Sequence, residues 1–221
     1  GTKHCISCSS GTDALIIPLM AKGVGPGDAI ITTSFSYIAT AEVIALLGAT
    51  PIFCDIYPKT FNINPNGLEE AFDKAVEEGL TPKAIISVDL FGLPARFRLI
   101  SEFAKGKNLF LLEDAAQGFG GSIGDQKACS FGDVSATSFF PAKPLGCYGD
   151  GGAIFTNNDE LAGKMESIRI HGGGENKYDN IRLGLNGRLD TLQAAVLIEK
   201  LKIFDSEILM RNKVAKIFNN N

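Results

Sequence analysis

The sequence lacks the features that mark several large classes of protein. Its 221 residues carry 21 Lys and Arg against 25 Asp and Glu, giving a formal net charge of −4. No basic run offers a binding surface for nucleic acid. Charged residues, glycine or proline interrupt every hydrophobic run, so no membrane-spanning segment is predicted. The first residues lack the charged-then-apolar layout of a signal peptide, so we expect a cytoplasmic protein.

Disulfide and metal patterns are also missing. The five cysteines are odd in number and scattered along the chain, which argues against a disulfide framework. Cys5 and Cys8 form a C-x-x-C pair beside His4, but no second C-x-x-C or H-x-x-x-H completes a four-ligand zinc site. We interpret the pair as small apolar residues of a buried strand, with redox or metal chemistry as the alternative. No metal site is predicted.

Two nucleotide-binding motifs are absent as well. The P-loop pattern G-x-x-x-x-G-K-[ST] does not occur, and the glycine clusters at 23–27 and 118–124 do not match G-x-G-x-x-G. We interpret both clusters as turns.

The sequence does contain short apolar runs that alternate with longer stretches of helical spacing. The predicted strands are Ala29–Thr32, Pro51–Cys54, Ala84–Val88, Leu109–Leu112, Val134–Phe139 and Ala153–Thr156, after a first strand near Cys5. The predicted helices are Asp13–Lys22, Ala39–Leu47, Leu68–Glu78, Arg96–Lys105 and Asp159–Ile170. Strands that are apolar almost throughout, alternating with helices, predict an α/β fold: three layers, α/β/α, around a mixed, mostly parallel sheet.

The last part of the chain has a different pattern. From Leu189 to the C-terminus, Leu, Ile and Val recur three and four residues apart, which predicts one long helix. The chain opens within a predicted strand and closes within this helix, so we expect it to be cut at both ends.

Three polar segments follow predicted strands, where α/β sheets bind their ligands. The first, Ser9–Leu15, opens a helix. The free N–H groups and positive dipole end of that helix would bind an anion, and Gly11 would let a phosphate approach the backbone. The alternative is an ordinary N-cap without a ligand.

The second segment is Glu113-Asp114-Ala115-Ala116-Gln117, at the end of an apolar strand. A carboxylate beneath a pyridine nitrogen keeps that nitrogen protonated and the ring electron-withdrawing. A solvated loop acid or a helix N-cap is the alternative for Asp114.

The third segment runs from Ser138 to Gly152 and contains Lys143 between two prolines. Pro141 and Pro144 restrict the backbone and hold the lysine in one direction. A lysine in a closed pocket loses its proton more readily and can act as a Schiff-base nucleophile. An anion site, a carboxylate and an isolated lysine at successive strand ends together match the needs of pyridoxal phosphate.

These segments give the sequence a resemblance to a known family. The chain resembles the DegT/DnrJ-type sugar aminotransferases, a branch of the type I pyridoxal-phosphate fold. The resemblance is most specific in four segments that follow in the same order: 10–15, 113–117, 138–152 and 186–195. The resemblance implies that residues 1–200 form the large cofactor-binding domain. It also implies that residues 201–221 lead towards a small C-terminal domain not present in full.

The resemblance also implies a role for each matching residue. Lys143 would hold the cofactor and move the proton, Asp114 would bind the pyridine nitrogen, and Gln117 would contact the ring hydroxyl. The implied phosphate ligands are Gly11, Thr12 and Ser138. Asn186 and Arg188 would reach the cofactor phosphate of the other subunit in a homodimer. Without the resemblance, Arg188 is a charge at a helix start, paired with Asp190.

Two aromatic or titratable positions leave alternatives open. Tyr37 matches the aromatic residue that stacks on the cofactor ring, with Phe35 as its competitor and core packing as the other interpretation. His171 matches a His-Gly pair near the substrate entrance, but a histidine in a glycine-rich loop is as often simply exposed.

The activity implied is transfer of an amino group from glutamate to a nucleotide-linked keto-sugar, for biosynthesis of an amino sugar of a surface polysaccharide or glycan. Lys143–Gly152 is most similar to members acting on UDP-linked keto-sugars at C3. The alternatives are a sugar dehydratase of the same fold, which would carry His in place of Lys143, and a non-catalytic regulatory protein, which would lose the site residues. A keto-acid transaminase is a further alternative.

Overall fold

The computed structural model describes residues 1–176 and 178–220, which form alternating strands and helices. The strands are β1 (His4–Cys8), β2 (Asp28–Thr32), β3 (Thr50–Phe53), β4 (Thr81–Val88), β5 (Phe110–Asp114), β6 (Ser122–Ile123), β7 (Gln126–Lys127), β8 (Val134–Ser138) and β9 (Gly152–Thr156). The helices are α1 (Gly11–Ala21), α2 (Ala39–Leu46), α3 (Leu68–Glu77), α4 (Phe97–Gly106), α5 (Asp159–Arg169), α6 (Thr191–Leu201) and α7 (Phe204–Asn219). Short 3-10 turns occur at Pro65–Gly67 and Leu90–Gly92.

The main sheet is mixed and mostly parallel. Its strand order is β1-β9-β8-β5-β4-β2-β3, while β6 and β7 form a separate hairpin. The pairs from β8 through β5, β4 and β2 to β3 are all parallel. Strand β9 runs antiparallel to both of its neighbours, β8 and β1. The carboxyl ends of all the other strands in the sheet therefore meet at one edge.

Helices cover both faces of the sheet, which confirms the predicted three layers. Successive strand residues point to opposite faces. Ile86 and Leu112 thus pack with α1, α2 and α5 on one side. Their neighbours Ile85 and Leu111 pack with α3 and α4 on the other. This two-sided burial explains why these strands read as continuous apolar runs.

The prediction of one long helix from Leu189 is wrong, because the segment forms two helices. The amides of Lys202 and Ile203 donate to carbonyls three residues back, each at 3.2 Å, which closes α6 with a tight turn. The turn brings Phe204 into a small core, where it is 6% exposed and its ring centroid lies 5.3 Å from that of Phe119. Burial of one aromatic ring thus interrupts a pattern that is otherwise helical throughout.

The interpretation of Cys5 and Cys8 as a buried pair is only half right. Cys8 is buried and its Sγ donates to the Ser10 carbonyl at 3.3 Å, whereas Cys5 is exposed. Residues three apart in a strand face opposite sides, so a C-x-x-C spacing within β1 separates the two thiols. All five cysteines are free thiols.

Over residues 1–176 and 178–220, no helix has the length and apolar character needed to cross a membrane.

Candidate active site

A cavity of about 640 Å³ opens at the edge where the parallel strands end. Residues that follow β1, β5 and β8 contribute to its wall, as expected for segments at the carboxyl ends of parallel strands. Seven of the predicted site residues line it: Gly11, Thr12, Tyr37, Asp114, Gln117, Ser138 and Lys143.

The first turn of α1 forms one wall of the cavity. Ser10 is the N-cap, and its Oγ accepts a hydrogen bond from the Asp13 amide at 3.0 Å. The next residue, Gly11, packs so closely against β8 that an added Cβ would lie 2.6 Å from the Ser138 Cβ. Gly152 is similarly confined, since its Cβ would lie 2.3 Å from the Ser10 carbonyl oxygen. Small residues therefore bring the start of a helix against the end of β8.

Asp114 lies at the end of β5 and is only 4% exposed. Its Oδ2 accepts a hydrogen bond from Thr40 Oγ1 at 2.8 Å, and its Oδ1 accepts one from the Ala116 amide at 3.1 Å. Burial raises the pKa of Asp114 above its usual value, while these two hydrogen bonds and the charge of Lys143 act in the opposite direction. A cationic group placed against this carboxyl would favour its ionised form.

Gln117 is oriented by the backbone of a neighbouring turn. Its Oε1 accepts a hydrogen bond from the Phe91 amide at 2.7 Å. Because the carbonyl end of the side chain is engaged, the NH₂ group is the end that can donate to a ligand. Phe91 has a positive φ of 58°, so its amide is held in an unusual backbone conformation.

Lys143 lies in a turn between β8 and β9 that several contacts hold in place. Its amide donates to the Phe140 carbonyl at 2.8 Å. Helix α6 binds the same turn: Gln193 Oε1 accepts from the Tyr148 amide at 2.8 Å, and Lys200 Nζ donates to the Gly146 carbonyl at 2.5 Å. The backbone that carries the lysine is therefore fixed on both sides.

Tyr37 and its competitor Phe35 have different surroundings. Tyr37 lines the cavity and is 70% exposed, so it is not a core residue. Phe35 stacks on Phe61 instead, with ring centroids 5.4 Å apart. The stacking role of Tyr37 stays a prediction, and its position at the cavity is consistent with it.

Asn186 and Arg188 line a second cavity of about 580 Å³ rather than the one that holds Lys143. The two cavities share Ser10 and Asp150 in their walls. Within the described part of the chain, Arg188 forms no ion pair with Asp190, although both line the second cavity. Asn186 and Arg188 are therefore adjacent to the predicted cofactor site but do not line it.

His171 is exposed and is not among the residues lining either cavity. It occupies a loop position with φ of 62°, its amide donating to the Leu185 carbonyl at 2.9 Å.

In the described residues there is no cluster of three His, Cys, Asp or Glu side chains that could hold a metal ion.

Sequence reasoning missed three residues of the main cavity. Thr40 holds Asp114, and its position three residues after Tyr37, on the first turn of α2, was an available signal. Asp150 lies within the glycine-rich segment after Lys143, where no motif singled it out. Arg211 comes from α7, remote in sequence from the other site residues, and had no signal.

Comparison with solved structures identifies the fold. A DegT DnrJ EryC1 StrS aminotransferase from Brucella abortus is 53% identical, with a TM-score of 0.98 over 100% of this chain and 59% of that one. NtdA from Bacillus subtilis, solved with bound cofactor PMP, is 36% identical, with a TM-score of 0.83 over 92% of this chain and 45% of that one. The fold is therefore that of the large domain of pyridoxal-phosphate aminotransferases.

Comparison with sequences identifies the family. The model of the DegT/DnrJ/EryC1/StrS aminotransferase family matches residues 1–221, and this chain belongs to that family. The UDP-2-acetamido-2-deoxy-3-oxo-D-glucuronate aminotransferase of Pseudomonas aeruginosa is 54% identical over 97% of this chain. A pleiotropic regulatory protein of Geobacillus stearothermophilus is 45% identical over 98% of it. The chain spans 58% and 56% of the lengths of these two relatives.

Proposed function

We propose that this chain is the cofactor-binding part of a pyridoxal-phosphate aminotransferase that transfers an amino group from glutamate to a nucleotide-linked keto-sugar. In this proposal residues 1–200 form the cofactor domain, and residues 201–221 lead towards a small C-terminal domain. The enzyme would act in the cytoplasm, in amino-sugar biosynthesis. The observation that carries the proposal is that Lys143 and the buried Asp114 line one cavity with the N-terminus of α1.

The residues of the cavity fit pyridoxal phosphate. The phosphate needs backbone and hydroxyl donors, which the first turn of α1 and Ser138 supply. The two lie side by side because Gly11 has no Cβ: an added one would fall 2.6 Å from the Ser138 Cβ. The ring needs a carboxylate for its nitrogen and an amine for its aldehyde, and Asp114 and Lys143 are of those types.

When bound, pyridoxal phosphate supplies an electron-withdrawing ring that stabilises negative charge at the substrate carbon. Asp114 would hold a proton at the pyridine nitrogen and so keep the ring electron-withdrawing. Thr40 and the Ala116 amide orient both oxygens of that carboxylate. Removal of water from the Asp114 side chain strengthens its interaction with a cation, because the local dielectric is low.

Lys143 has two tasks in this proposal. Its Nζ would hold the cofactor aldehyde at rest, and as a free amine it would move a proton to and from the substrate carbon. A positioned general acid–base group contributes roughly a hundred- to ten-thousand-fold to the rate. Gln117 would donate from its NH₂ to the ring hydroxyl, since its Oε1 is bound to the Phe91 amide.

The proposal includes a homodimer. Asn186 and Arg188 line the cavity beside the cofactor site and not the cofactor site itself. In this proposal they reach the cofactor phosphate of a second copy, the role that the family resemblance implies for them. Light scattering would give twice the chain mass if the dimer forms. Mixing Lys143→Ala chains with Arg188→Ala chains would then restore one wild-type site per mixed dimer. Absence of any recovery on mixing, in a protein shown to be dimeric, would contradict sharing of the site.

The direct test of the proposed reaction is the visible absorbance of the protein with added pyridoxal phosphate. We expect a band typical of a lysine-bound cofactor, bleached by glutamate. Lys143→Ala should lack the band, because none of the other lysines that the structure describes lines the cavity. Lys127→Ala, in the exposed β6–β7 hairpin, is the matched control and should keep it.

The outcomes separate the proposal from its alternatives. A band that glutamate does not bleach would favour a regulatory protein that binds the cofactor without using it. A band bleached by amino acids other than glutamate, with no amine transferred to a keto-sugar, would favour a keto-acid transaminase. No band in either the wild type or the Lys127→Ala control would refute the assignment of Lys143.

A further inference from the structure

Arg211 is a cation of the main cavity to which neither the sequence motifs nor the proposed cofactor assigns a role. It lies on α7, and its side chain lines the same cavity as Lys143 and Tyr37. Its Nη2 donates to the Pro144 carbonyl at 3.3 Å, next to the lysine in sequence. The arginine therefore meets the cavity wall at the turn that carries the reactive amine.

The charge of Arg211 is not balanced by a neighbouring acid. Among the residues the structure describes, Arg211 forms no ion pair. Glu207 lies one helical turn earlier, at the spacing where such pairs usually form, but it does not pair with Arg211 either. The Pro144 carbonyl occupies one of the five N–H donors of the guanidinium. The other donors remain for a ligand.

Two of the other charged residues of the cavity have a partner in the proposed function. Lys143 binds the cofactor aldehyde, and Asp114 binds its pyridine nitrogen. Asp150 is an anion and is exposed. Arg211 is thus the cation of this cavity that stays available once the cofactor is bound.

We propose that Arg211 is a substrate-binding residue that recognises an anionic group of a substrate. The inference rests on the proposed function, in which both substrates carry such groups: a carboxylate on the amino donor and a diphosphate on the sugar nucleotide. Arginine binds either group with two parallel N–H donors, an arrangement that lysine cannot reproduce. The contact with Pro144 would hold the guanidinium at the cavity while it binds.

The test is a calorimetric titration of the protein, with pyridoxal phosphate added, by two probes that cannot react. Glutarate is a dicarboxylate without an amine, and uridine diphosphate carries the diphosphate without a sugar. Loss of a hydrogen bond to a charged group should weaken binding roughly 10- to 100-fold in Arg211→Gln. Arg211→Lys keeps the charge and should show an intermediate loss.

The pattern of losses identifies the anion. A loss confined to glutarate assigns Arg211 to the donor carboxylate, a loss confined to uridine diphosphate assigns it to the diphosphate, and a loss for both assigns it to each in turn. Lys213→Gln, on the same helix but outside the cavity, is the matched control and should bind both probes within about twofold of wild type.

Three results would overturn the assignment. One is wild-type affinity of Arg211→Gln for both probes, another is an equal loss in Lys213→Gln, and the third is a wild-type protein that binds neither probe. The titration measures anion binding and the visible absorbance measures the cofactor. A protein without the absorbance band but with Arg211-dependent binding would therefore refute the proposed function and not the anion subsite.

Discussion

Replacing Asp89 with asparagine should stabilise the fold at neutral pH. Asp89 follows β4 and is fully buried. Its Oδ1 accepts a hydrogen bond from the Ala95 amide at 3.2 Å, whereas no group of the described residues donates to Oδ2. The nearby Glu113 is itself an acceptor, bound by three donors: the amides of Cys129 and Phe131 at 2.7 and 2.8 Å and the Ser135 hydroxyl at 2.6 Å.

Burial, followed by the charge of Glu113, raises the pKa of Asp89 far above its usual value. The folded protein therefore holds a proton on Asp89 that the unfolded chain releases above a pKa of about 3.9. The stability that this proton contributes is present below that value and is lost as pH rises. Between the unfolded and the folded pKa of Asp89, each pH unit lowers the unfolding free energy by up to about 1.4 kcal/mol. The loss between pH 5 and pH 7 is therefore up to about 2.7 kcal/mol.

Asparagine has the shape of a neutral aspartic acid and needs no proton, so it should escape this loss. Urea unfolding followed by circular dichroism suits a chain that contains no Trp. We expect the stability difference between Asp89→Asn and wild type to grow in favour of the mutant from pH 5 to pH 7. Asp125→Asn, on the exposed β6–β7 turn, controls for the chemical change. A difference that is constant with pH, or a mutant less stable at pH 7, would refute the protonated Asp89.

Three further substitutions, one of them with a matched control, test the packing and the hydrogen bonding around the site. Gly11→Ala should lower the unfolding free energy by about 1–3 kcal/mol in the same urea assay, because the added Cβ meets Ser138. Gly163→Ala in α5 is the control: no described atom lies within 4 Å of its added Cβ, so this variant should raise the unfolding free energy by about 0.4–1 kcal/mol. Thr40→Val leaves Asp114 without its hydroxyl donor, so its pKa should rise and absorbance titration should show weaker binding of pyridoxal phosphate; unchanged affinity would contradict the orienting role. Phe204→Ala should lower the unfolding free energy by about 3 kcal/mol and make α7 sensitive to limited proteolysis. Cleavage of the mutant at the wild-type rate would contradict the idea that the Phe204 ring holds α7 in place.

The strands and the grouping of the site were predictable from local sequence. Ala84–Val88 of β4 and the start of β5 are apolar almost throughout because helices bury both of their faces, and this pattern alone indicated a parallel sheet. Once the sheet is parallel, Asp114 and Lys143 must lie at the same edge, although 28 residues lie between them in the chain. Asp114 is neither the solvated loop acid nor the helix N-cap of the structural alternatives, since it is 4% exposed and a turn follows it rather than a helix. Its Oδ1 accepts a hydrogen bond from the Ala116 amide in that turn.

Features that depend on tertiary contacts were not predictable. The segment from Leu201 to Phe204 contains no Gly or Pro, so nothing local ends α6 there, and the break follows from burial of the Phe204 ring. Arg211 has the sequence context of any exposed helical arginine. Only the packing of α7 against the turn at Pro144 brings it to the cavity.

Chemical trapping would show whether Lys143 is the residue that holds the cofactor. Borohydride would reduce the bond between pyridoxal phosphate and the protein, and peptide mass spectrometry would then locate the modification. We expect one phosphopyridoxyl group per chain, on the peptide that contains Lys143. Modification of a different lysine, or a protein that remains unmodified at saturating cofactor, would contradict this expectation.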